Sequence, residues 1–89
     1  MNKSAKSGGR IHRRADVYPK RGKSEYGDVK FADPVNNKYP IDTPAHIRAA
    51  WSYIHHKDNA AKYDKSEVAK IKRRIKAAAA KAGVAIHTE

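Results

Sequence analysis

The chain of 89 residues has a formal net charge of +11, a 39% apolar share and no cysteine. That excludes a multidomain protein, a disulfide framework and any thiolate metal site. Alanine supplies much of the apolar share and leucine is absent, so a small core worth only a few kcal/mol is expected.

No apolar run approaches the length of a membrane span. The basic residues near the start are not followed by the hydrophobic segment of a secretory signal. A soluble, cytoplasmic protein is the expectation, with no membrane partner.

Residues 1–28 hold eight Lys/Arg against three Asp/Glu and show neither helical nor strand periodicity. Gly8, Gly9, Pro19, Gly22 and Gly27 interrupt them, and Ile11 and Val17 stand alone. A segment of this kind is expected to be a disordered basic arm, because it buries too little to offset its ordering entropy. Residues 29–86 then form the domain. Its first part, 29–41, reads as two short extended pieces, a minimal hairpin turning at Val35-Asn36-Asn37. Pro34 and Pro40 keep both pieces out of a central sheet position, so the ribbon needs a helix to lean on.

Helix starts are better marked. Asp42 or Thr43 caps a helix opening at Pro44, expected over 44–56, with Ile47, Trp51 and Ile54 at i, i+4 and i+7 and Ala50 in the same stripe. Asp58 is positioned to cap a short helical turn over 59–63. Asp64 and Glu67 have capping-box spacing and open a long helix over 65–82. Its apolar face is Val68, Ile71, Ile75, Ala78, Ala79 and Ala82, and Gly83 is placed for a left-handed cap. Val84 and Ile86 either fold back on this helix or fray. The fold class is therefore mainly α, with a short hairpin.

Two blocks carry a resemblance. Tyr39-Pro40-Ile41-Asp42 with His46 and Ala49, then Glu67, Ile71, Lys72 and Ile75 on a helix, resemble a family of small domains from bacterial and phage proteins. The resemblance covers about residues 20–83. It implies a compact, largely helical unit. The family is a domain of unknown function, so no catalytic residue is carried over.

Candidate chemistry is sparse. His46 and His55-His56 invite a metal reading. Adjacent histidines diverge by about 100° on a helix, and His46 lies nearly three turns from His56, so no metal site is expected and no cofactor. His46 sits one turn from Asp42, a carboxylate–histidine pair suited either to base catalysis or to fixing the helix start. No nucleophile accompanies it, and an enzyme is not expected. Trp51 reads as a core anchor. Tyr53 lies off the apolar stripe and is free for surface contact. Tyr18 and Tyr26 alternate with Arg21 and Lys23, a composition compatible with nucleic acid.

The strongest functional surface is cationic. Lys65, Lys72 and Lys76 line one flank of the long helix and Lys70, Arg74 and Lys81 the other, with Arg73 between. Like charges at i, i+4 cost a few tenths of a kcal/mol per pair, roughly, and their retention points to a polyanion. Arg13, Arg14, Lys20, Arg21 and Lys23 in the arm add to the same potential. The expected activity is sequence-independent nucleic-acid binding; the alternative is an interaction or structural module, phage- or virion-related by resemblance, that meets an acidic protein.

Overall fold

A computed structural model describes residues 11–86. In chain order it contains helix α1 (Pro19–Tyr26), strands β1 (Phe31–Asp33) and β2 (Lys38–Pro40), then α2 (Pro44–Ile54), α3 (Lys57–Ala60) and α4 (Lys65–Ala82). The strands pair antiparallel, Phe31 opposite Pro40 and Asp33 opposite Lys38. Among the described residues no helix is long and apolar enough to cross a membrane.

The helix signals operate as read. Thr43 is extended, and its hydroxyl accepts from the His46 amide at 3.1 Å, with Pro44 next in the first turn. Asp64 and Glu67 close a capping box on α4, and Gly83 ends the helix in the left-handed region at φ 69°, where a side chain would be strained. The buried face of α2 (Ile47, Ala50, Trp51, Ile54) packs against Ile71, Ile75 and Ala79 of α4. Each such Ile stabilises the fold by about 1.5–3 kcal/mol. Val84 and Ile86 fold back and pack half-buried against this core. The short helix α3 starts two residues earlier than the Asp58 cap implied. His56 is its N-cap, and Asp58 sits in its first turn, where a carboxylate complements the helix dipole.

The hairpin leans on these helices as its length requires. Phe31, Ala32 and Ile41 are buried, and Arg74 of α4 donates from Nη1 to the Ala32 carbonyl at 3.0 Å. Its four-residue turn is built less by the asparagine backbone than by Asp33. One carboxylate oxygen accepts from the amides of Val35 and Asn36, each at 3.1 Å. The other accepts from the Asn36 side-chain amide at 2.9 Å. Tyr39 takes φ 63°, a conformation costing a bulky residue about 1–3 kcal/mol, and its ring is buried near Tyr63.

Residues 11–28 differ from the sequence reading, which placed them in a disordered arm. Residues 1–10 of that arm lie outside the described residues. The rest packs: Ile11 is 2% exposed and joins the main core, and residues 19–26 are helical. No periodicity announced this, because single anchors hold the segment. Asn36 accepts from the Arg14 amide at 2.7 Å and donates to the His12 carbonyl at 3.0 Å. His12 in turn donates its amide to Glu67 Oε2 at 2.7 Å.

Candidate functional site

Three constellations arise from this packing, and they differ in what they can do. The first is a buried polar network. Asp33 and Asn36 are essentially inaccessible, and the Tyr63 hydroxyl donates to Asp33 Oδ2 at 2.6 Å. Arg14, 7% exposed, donates to that hydroxyl at 3.2 Å and places its guanidinium 5.0 Å from the Tyr63 ring centroid. Asp16 receives Arg14 in two bonds, 2.9 and 2.6 Å. That ion pair holds the Asp16 carboxyl well below the usual carboxylate range. Burial, then donation to Asp33, pushes the Tyr63 phenol far above its ordinary range. Every buried polar group here finds a partner, as a stable interior demands. This is architecture, and it removes Arg14 from the cations free to meet a ligand.

The second gathers His12, Asp64 and Glu67, whose ligating atoms lie within 4.8 Å of one another. The histidines singled out in the sequence do not meet; His55 lies 2.7 Å from the Trp51 carbonyl through Nδ1 and packs on the indole, and His56 faces Tyr53. In the new trio Glu67 is already engaged by the Asp64 amide at 2.8 Å and by both the amide and Nδ1 of His12. Burial opposes ionisation of Glu67, but the amides of Asp64 and His12 and the His12 ring outweigh it and hold its carboxyl below the ordinary value. The positive end of the α4 dipole opposes a metal cation here. The trio clamps the N-terminal segment to α4.

The third is a cleft of about 500 Å³ between α1 and α2, floored by β2. Tyr18, Tyr26 and Tyr53 line it, 67%, 37% and 54% exposed, with Arg21, Lys38 and His46. Tyr26 packs edge-on against Phe31 and His46. The expected pairing of His46 with Asp42 is present, Nδ1 to Oδ1 at 2.6 Å. Among the described residues the cleft lining contains no serine, threonine or cysteine, and the Thr43 hydroxyl beside the pair is occupied as the helix cap.

The expected cations fall into two groups. Lys65, Arg73, Lys76 and Lys81 are exposed on α4 and Lys72 is half-exposed; Lys20, Arg21 and Lys23 are exposed on α1. Arg14 and Arg74 serve the fold, Arg13 donates to the Val17 carbonyl at 3.0 Å, and Lys76 also lies 5.9 Å from the Trp51 ring centroid. Lys70 is half-buried. Lys38 was not singled out, although it sits where the hairpin turn returns to the cleft. Asp33, Asn36 and Tyr63 carry no spacing signal at all.

A family of unknown function, DUF6582, has a model that matches residues 7–89, and the chain belongs to that family. The match includes most of the segment first read as an arm. No curated protein and no solved structure matches the chain.

Proposed function

We propose that this member of the family is a nucleic-acid-binding module that engages the phosphate backbone without reading sequence. One observation carries the reading: five of the eight acids among the described residues are committed to structure. Asp16 holds Arg14, Asp33 builds the hairpin turn, Asp42 pairs with His46, and Asp64 and Glu67 cap α4. Among the described residues this leaves Lys65, Lys72, Arg73 and Lys81 of α4 without an acidic partner. Such a surface attracts polyanions by counterion release. Among the described residues the cationic side chains of α4 follow no base-reading pattern, and phosphate contacts carry the proposed binding. The protein acts by binding and not by catalysis.

The test is a titration of labelled random-sequence oligonucleotides at several salt concentrations, beside polyglutamate. Contact with about five phosphates gives a log–log salt slope of about −4.5 on duplex DNA. Reversing Lys65, Lys72 and Arg73 to glutamate flattens that slope by about 3 with the circular dichroism unchanged. Absence of binding at low salt refutes the proposal. Equal affinity for polyglutamate moves the partner to the acidic proteins.

A further inference from the structure

We infer that the cleft between α1 and α2 stacks unpaired bases, which gives the protein a preference for single strands over duplex. The inference rests on the nucleic-acid reading above and locates its contact with the bases.

Among the described residues, Tyr18, Tyr26 and Tyr53 are the exposed large hydrophobic side chains, and all three line this one cleft. Two bracket α1 and the third comes from α2, so the fold itself assembles them. A tyrosine ring exposed by more than half, as those of Tyr18 and Tyr53 are, contributes little to a core. Its π-face is available to any base, which is how single-strand binders gain affinity without sequence. The cleft has the size of a small-molecule site. Arg21 and Lys38 stand in its lining, and Lys20 and Lys23 are exposed on the same helix as Arg21, so a phosphate path runs beside the rings. The cleft's acids are largely engaged. Asp16 is held by Arg14 and lies 3.5 Å from Lys62, and Glu25 interacts with Tyr26.

The cleft's outer wall is also adjustable. Helix α1 has eight residues, no side-chain cap and no buried residue, well below the length at which a helix is stable alone. It is held by Asn37, whose Nδ2 donates to the Pro19 carbonyl at 2.9 Å, by Gly22, which lies directly against Asn37, and at its last residue by the edge-on contacts of Tyr26 with Phe31 and His46. A wall so lightly held can move to admit a base. Tyrosine-lined grooves also take extended proline-rich peptides; the surrounding positive charge favours the polyanion.

Fluorescence anisotropy decides the matter, with a labelled oligo(dT) of about 12 nucleotides and a hairpin duplex of equal phosphate number. The expected result is tighter binding of oligo(dT). Tyr18→Ala and Tyr53→Ala each weaken it about fivefold or more and leave duplex binding unchanged. Tyr18→Phe and Tyr53→Phe, which keep the ring, restore it. Both positions are exposed, and circular dichroism verifies folding. If duplex and oligo(dT) bind alike and the alanine variants behave as wild type, the cleft inference falls while phosphate binding stands. If neither oligonucleotide binds at low salt, both fall. Displacement of oligo(dT) by an oligoproline peptide, with wild-type duplex binding retained, overturns the inference in favour of a peptide groove.

Discussion

Replacing Tyr63 with phenylalanine removes one oxygen atom and should cost a large part of the stability of the fold. The hydroxyl donates to Asp33 Oδ2 at 2.6 Å, and Asp33 is fully inaccessible. Its carboxylate then keeps the two amides of Val35 and Asn36 and the side-chain amide of Asn36, but loses the phenol donor from a position that is buried in the folded protein. A lost bond to a buried charged group costs about 1.5–3 kcal/mol. Arg14 loses an acceptor at 3.2 Å but keeps Asp16 and the ring, adding about 0.5 kcal/mol, the low end for a buried bond this long. The expected loss is about 2–3 kcal/mol, against a total of only a few for a domain this small. Because the phenol's pKa is raised far above its ordinary range, the hydroxyl remains a donor throughout the neutral range. Urea denaturation followed at Trp51 reads the effect. With a slope of about 1 kcal/mol per molar, the midpoint falls by about 2–3 M at unchanged slope. A shift below about 0.5 M would refute the argument that this network organises the hairpin.

The other predictions bear on the N-terminal segment and the cleft. Ile11→Ala should destabilise the protein by about 2–4 kcal/mol in the same denaturation assay, since the side chain is 2% exposed in the core; a change within about 0.5 kcal/mol would mean that the segment is not packed. Gly22→Val places a Cβ 2.3 Å from the Asn37 carbonyl oxygen, in a backbone turn at φ 54° that has little room to yield. Amide exchange over 19–26 should accelerate while α4 stays protected, and unchanged exchange would show that α1 tolerates the clash. Acid should loosen the same segment. Glu67 and Asp16 have folded pKa values below their unfolded ones, so their stabilisation is complete above the ordinary carboxylate range, about pH 4. It is lost as pH falls through the depressed values. Stability that is equal at pH 7 and pH 2 would contradict those pairings.

Legibility in the sequence followed the kind of force involved. Apolar stripes and caps repeat at fixed spacing, so Ile47-Trp51-Ile54, the Asp64–Glu67 box and Gly83 could all be placed from the chain alone. The single isoleucine at position 11 had no partner at any helical or strand interval, and its neighbour His12 is anchored on Glu67, far along the chain. The polar network was hidden for a related reason. Asp33 and Asn36 look like ordinary turn residues, and nothing local indicates that Tyr63 will close over them. The cleft was half legible: Tyr53 read as a surface residue and Tyr18 and Tyr26 as aromatic companions of arginine and lysine, but their convergence required the docking of α1, a helix with no apolar face to announce it.

The acids connect the fold to its surface. A core without leucine is supplemented by polar bonds that turn Asp33 and Glu67 inward as acceptors, and Glu67 thereby holds the N-terminal segment through His12. The choice has an electrostatic consequence. Each carboxylate turned inward leaves one more exposed lysine or arginine unbalanced, so the means of stabilising a small core also concentrates positive potential on α4 and beside the tyrosine cleft. Fold stability and affinity for a polyanion then respond to salt with opposite sign. Low salt strengthens the attraction between the surface and phosphate but also strengthens repulsion within the folded protein. A bound oligonucleotide relieves that repulsion, and it should raise the denaturation midpoint most at low salt, where the unliganded protein is least stable. A midpoint shift that is independent of salt would separate the two and place the stabilising contacts away from the cationic surface.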